Sequence, residues 1–191
     1  MTQIELNDLL YQLGWVLKGY EFLIVLWFLV TQFPTHKWSL FYAHGKALKS
    51  LQLHEMHSCF MTSLCLLFFH LLGSEIDMFF LGPLLSGLDD KIKVFYLAGM
   101  INQFMFLLAV FYLHRIRRCL FSKTARICLY TTIIVMMLQM MELIARGYFD
   151  YHELKFVYIL TFWACNLISL AALSIYPIRQ TLSYFKKSKQ I

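Results

Sequence analysis

Charge is what this chain has least of. Among 191 residues there are 17 Lys and Arg and 11 Asp and Glu, so 15% of the side chains are charged, against roughly 25% in an ordinary soluble domain. That supply cannot give a globule of this size a polar shell, and a water-soluble fold is excluded. The motifs of soluble catalysis are missing too. There is no GxSxG, GxxxxGK[ST] or GxGxxG, and no DxxD inside an apolar stretch, so no nucleophile elbow, phosphate loop or dinucleotide fingerprint can be drawn. No repeat suggests two inverted halves, and no glycine pair has GxxxG spacing. CxxC is also absent, and Cys59, Cys65, Cys119, Cys128 and Cys165 fall where no disulfide is expected. The opening residues MTQIELNDLL carry Glu5 and Asp8 but no base, unlike the start of a signal peptide, so the first apolar run is expected to stay attached.

What is present is apolar: 60% of the residues are hydrophobic, with 18 Phe, 10 Met and 4 Trp. They gather into five stretches at 13–33, 56–72, 94–113, 127–145 and 156–175, each near the roughly 20 residues a membrane-crossing helix requires. Runs such as LIVLWFLV and TIIVMMLQMM do not alternate with period two, which excludes barrel strands. Pro34 is expected to close the first stretch, Gly73 the second, and Tyr176 with Pro177 the last. Residues 78–88 (MFFLGPLLSGL) are too short to cross and read as interfacial or re-entrant, while 41–55 reads as an amphipathic helix on the inner surface. The expected fold is all-α: a polytopic membrane helix bundle of five transmembrane helices, forming one integral membrane domain over 1–191.

Orientation follows from the Lys and Arg in each connection. Taken in chain order they number 0, 3, 2, 5, 2 and 4, richest at His114 to Arg126 and after Pro177. The alternation puts the N-terminus outside and the C-terminus in the cytoplasm. On that reading Trp15, Tyr96, Tyr148, Tyr151 and Tyr158 lie near the outer interface and Trp38, Tyr112, Tyr130 and Tyr176 near the inner one. A bacterial cytoplasmic (inner) membrane is the expected location. The formal charge of +6 is then a topology signal and an anionic-lipid contact. No nucleic acid is expected as a partner, because no folded basic surface remains to present to one.

Polar residues inside apolar stretches are the candidate functional groups. Lys18 and Glu21, three apart, and Glu142 and Arg146, four apart, each share a helix face. Burying such charges singly is costly, so the four are expected to form one structural ion network in the outer half. Deeper lie Asn102, Gln103, Gln139 and Asn166. Asn102, Gln139 and Asn166 should face each other, as hydrogen-bonded glue between helices, or line a ligand cavity together with Glu21 and Glu142. His57 and His114 could approach one another as a metal or haem site, although HEMH at 54–57 lacks the zincin spacing and an interfacial role suffices for both. His70, thirteen residues after His57, belongs near the outer side.

These features favour an integral membrane binding or regulatory subunit that acts through protein–protein contacts in the bilayer. The alternatives are a small-molecule or ion transporter, or its capture subunit, with a polar site near mid-membrane, and a haem or quinone anchor. An enzyme has the least support, since no group placed for acid–base work is identifiable beyond Glu21 and Glu142. No cofactor is expected. The expected partners are the lipid bilayer, another membrane protein or a second copy, and a small cationic solute drawn by Glu75, Asp77, Asp89 and Asp90 in the second loop.

Overall fold

The computed structural model describes residues 3–42, 48, 50–81 and 87–188. All regular structure in them is helical: α1 Gln3–His36, α2 Ser39–Tyr42, α3 Leu51–Leu81, α4 Leu88–Arg117, α5 Lys123–Tyr148 and α6 Lys155–Ser188. The five long helices have 26 to 34 residues, and at 1.5 Å per residue even the shortest exceeds the roughly 30 Å of a hydrocarbon core. Each contains a window apolar enough to cross a membrane. Large apolar side chains on the outer faces, among them Val30, Leu64, Ile101, Met137, Leu160 and Leu167, are exposed, as lipid-facing surfaces require.

Packing closes the helices into a ring. Successive neighbours α3 to α4, α4 to α5 and α5 to α6 lie side by side, and α1 packs on both α3 and α6. The core occupies one half of this ring. Ile24, Val25 and Phe28 of α1 meet Met56, Cys59 and Phe60 of α3, Phe106 and Val110 of α4, Cys128 of α5, and Leu170, Leu173 and Tyr176 of α6. Phe28 stacks on Tyr176 with centroids 5.6 Å apart, and Phe60 lies 5.7 Å away. Tyr176 is buried in this core, and Tyr96, at the other end of the ring, is 3% exposed.

At the packed end the connection from α4 to α5 is held tightly. Arg118 adopts a left-handed conformation with φ of 50°, and the N–H of Cys119 bonds back to the His114 carbonyl at 2.9 Å, which stops α4. Ser122 caps α5 by accepting from the Ala125 N–H at 3.0 Å, and its own N–H donates to Ser58 Oγ on α3 at 2.9 Å. The buried Cys119 thiol donates to the His54 carbonyl. Burial pushes that thiol up to about 11, so it persists as a protonated donor at neutral pH.

Helix ends depart from the sequence expectations in three places. Pro34 and Pro177 both sit inside helices, α6 continuing eleven residues past Pro177 to Ser188. Neighbouring helices in a membrane bundle accommodate the carbonyl that such a proline leaves unbonded. Gly73 does not end α3, which runs on to Leu81 and takes Asp77 and Met78 with it. The residues at 78–81 thus form the last turn of α3, while 82–86 lie outside the described residues. Of the surface helix expected at 41–55, residues 43–47 and 49 also lie outside them, and 51–55 form the first turn of α3.

Candidate ligand cavity

The half of the ring opposite the packed core is polar and hollow. A cavity of about 220 Å³ lies there, lined from α1, α3, α4, α5 and α6, with the volume of roughly seven waters. Helical spacing explains how so many elements contribute. His70, Gly73, Ser74 and Asp77 succeed one another at three- and four-residue steps on α3, as do Phe95, Gly99, Asn102 and Gln103 on α4. Lys18 comes from α1, Gln139 from α5, and Tyr158, Phe162, Trp163 and Asn166 from α6. A narrower extension with room for about one water continues toward the core, between His70, Gln103, Asn166, Thr131, Thr132 and Ser169.

Two glycines make the space for its amides. A Cβ at Gly73 would stand 2.9 Å from Asn102 Nδ2, and one at Gly99 would stand 2.6 Å from Gln139 Nε2. Both distances are shorter than carbon–nitrogen contact allows. Gly73 is therefore a place where α4 approaches α3 closely, which is why it reads as a helix stop in sequence and behaves otherwise in the fold.

All three mid-span carboxamides reach this cavity, but they do not bond one another. Asn102 Nδ2 donates to the Phe69 carbonyl at 3.0 Å, and Asn166 Nδ2 donates to the Phe162 carbonyl of its own helix at 3.1 Å. Gln139 faces the Tyr158 hydroxyl. Asn102 Oδ1 and Gln139 Oε1 are buried and have no hydrogen-bond partner among the described residues.

The four charged candidates separate into two groups instead of one network. Glu21 is 1% exposed, and its Oε1 lies 2.6 Å from His70 Nδ1. Lys18, one turn earlier, donates to Ser74 Oγ and stands over the Trp15 ring. Across the ring Tyr96 donates to Glu142 Oε2 at 3.3 Å and receives Arg146 Nη1 at 2.9 Å, while Arg146 Nε stands 4.0 Å from that carboxylate. Glu142 is fully buried. The second oxygens, Glu21 Oε2 and Glu142 Oε1, are again buried without a partner. Sequence reasoning placed His70 near the outer side and Asp77 in a cation-drawing loop but gave neither of them a partner or a place in a cavity. Asp77 looked like a loop residue because Gly73 looked like a stop, and His70 had no partner within its own helix to signal it.

His57 and His114 are placed apart in use at the packed end. Both ring nitrogens of His114 are engaged, Nδ1 with the Val110 carbonyl at 2.7 Å and Nε2 with Ser58 Oγ at 2.8 Å, and the ring stacks on Phe121 at 4.2 Å. His57 is buried beside His36, with ring centroids 6.2 Å apart. The two histidines thus do not converge on one point. Among the described residues no three His, Cys, Asp or Glu side chains stand together as a metal site would require.

No protein-family model matches the chain, no curated protein is similar to it in sequence, and no solved structure matches its fold.

Proposed function

We propose that this integral membrane protein captures a small cationic solute bearing hydrogen-bond donors, an ammonium in the simplest case, in the cavity between its helices. The observation that carries this reading is the pair of buried, unpartnered acceptor oxygens on the cavity wall, Asn102 Oδ1 and Gln139 Oε1, with the buried carboxylates of Glu21 and Glu142 behind the wall. A buried acceptor without a donor costs roughly 1–3 kcal/mol, so two on one wall favour a ligand that brings donors. Charge agrees. Glu21, Asp77 and Glu142 face Lys18 and Arg146, which leaves an excess of one negative charge when His70 is neutral. The volume of about 220 Å³ suits a single-ring or short-chain amine, since a 150 Å³ cavity already admits benzene.

A membrane-subunit role explains the exposed apolar helix faces equally well. It gives no reason for carboxamides that line one cavity while leaving each other unbonded. The lysine and arginine distribution would open the cavity end of the ring to the outside.

The test is binding of benzylammonium to the protein in lipid nanodiscs, compared with benzyltrimethylammonium, which keeps the ring and the charge but has no N–H. Saturable binding of the first and markedly weaker binding of the second are expected. Replacing Gln139 by leucine should weaken benzylammonium by about tenfold or more, the loss of one hydrogen bond to a charged group. No saturable binding, or equal affinity for the two cations, would remove the reading.

A further inference from the structure

His70 is a cavity group that can exchange a proton without moving. His70 lies between the cavity and Glu21: its ring lines the main cavity and the one-water extension, and is 21% exposed. Behind it Glu21 is 1% exposed, with His70 Nδ1 2.6 Å from Oε1. Nδ1 is thereby committed to the carboxylate, and the second ring nitrogen, Nε2, is the one that can gain or lose a proton. With Nε2 protonated, imidazolium and carboxylate sum to zero. With Nε2 bare, the Nδ1–H still donates to Glu21, the pair carries one negative charge, and Nε2 becomes a further acceptor beside the orphaned oxygens.

The surrounding groups make that single charge decisive. On α1 the nearest other charge is Lys18, bonded to Ser74. On α3 it is Asp77, which faces Lys18. From α4 the wall is the uncharged Asn102 and Gln103. From α5 come Glu142, held with Arg146, and the thiol of Cys128, and from α6 Tyr158 and the thiol of Cys165. Asp77 faces Lys18 and Glu142 lies beside Arg146, whereas the Glu21 carboxylate is paired with an imidazole, whose second ring nitrogen can take up or release a proton.

Resting on the capture reading above, we propose that the Glu21–His70 pair is a proton-binding site in exchange with the cationic solute. One proton leaves His70 Nε2 for solvent as one monovalent cation enters, and one returns as it departs. The layer is electrically neutral in both states, as its low-dielectric setting demands. The proton is therefore a second ligand of the cavity, and it competes with the first. In a protein of this kind solute occupancy falls as the solution facing the cavity becomes more acidic.

Benzylammonium binding to the protein in nanodiscs, followed between pH 5 and 7 in weak buffer with a pH indicator, tests this. Affinity should rise with pH, by up to about tenfold per unit, the limit for one linked proton, with protons released as the cation binds at the acid end. The His70→Gln variant, whose amide can still donate to Glu21, should show a shallower pH dependence and release about one proton fewer per cation bound than the wild type. Glu21→Gln, which keeps a hydrogen-bonding group opposite His70, should likewise reduce the proton release, and it serves if the first variant does not fold. Wild-type binding that is independent of pH, or proton release that both substitutions leave unchanged, overturns the exchange while leaving capture intact. Absence of binding at every pH overturns capture and exchange together.

Discussion

At the scale of single residues, the cavity depends on side chains that are not there. Gly99 lets the Gln139 amide lie against α4, where a methyl group would stand 2.6 Å from Nε2. Gly99→Ala should therefore move the amide and its unpartnered oxygen without loosening the fold. Alanine favours the helix by up to about 1 kcal/mol over glycine, and the displaced group is the free end of a flexible side chain. The expected result is an unchanged or slightly raised melting temperature with benzylammonium affinity lowered about tenfold, the loss of one hydrogen bond to a charged group. Equal affinity in the variant would mean that Gln139 does not contact the ligand. Residue type alone marked Glu21, Asn102, Gln139, Glu142 and Asn166 as exceptional, because each is polar within an apolar run. Their partners were hidden. The contact from His70 to Glu21 joins residues 49 apart, and that from Asn102 to the Phe69 carbonyl joins residues 33 apart; pattern within one helix carries no information about either.

At the scale of elements, the five helices are legible because each has an apolar length that only one solvent accommodates, whereas their ends are not. Gly73, Pro34 and Pro177 are local breakers in water and tolerated positions in a bundle, where a close neighbour or an adjacent helix removes the reason to stop. The turn between α4 and α5 shows the opposite case, a boundary written in local chemistry. Ser122 supplies an oxygen to the Ala125 N–H and stands 3.0 Å from Ser58 Oγ. Ser122→Ala should remove the cap and the Ser58 hydroxyl's bond to Ser122 Oγ while the backbone N–H at 122 stays on Ser58, a loss of about 1 kcal/mol, within the range measured for Ser and Thr caps. Thermal unfolding in detergent reads this as a lowered midpoint. Benzylammonium binding should be unaffected, since the cap belongs to the packed end and the cavity to the other. An unchanged midpoint would mean that the links from α3 to the turn hold it without the cap.

At the scale of the whole molecule, packing and polarity are divided between the two ends of one ring. Phe28, Phe60, Phe106 and Tyr176 fill one end, and the cavity, with the Glu21–His70 and Glu142–Arg146 pairs beside it, occupies the other. This division gives the sequence-derived orientation a functional meaning. Connections at the packed end carry 3, 5 and 4 lysines and arginines, against 0, 2 and 2 at the cavity end. Basic residues are retained on the cytoplasmic side, so the cavity is expected to open outward and its solute to arrive from outside. A cytoplasm-active reporter fused after Ile191 should be active, and a translocation-dependent reporter at the same position silent. The reverse pattern would turn the cavity toward the cytoplasm. Under proton exchange the Glu21–His70 pair would then answer to the pH of the cytoplasm instead of that outside. Orientation and proton competition are thus linked through the placement of His70 in the cavity half of α3. A reporter result and a pH-dependent affinity together determine which compartment's acidity empties the cavity.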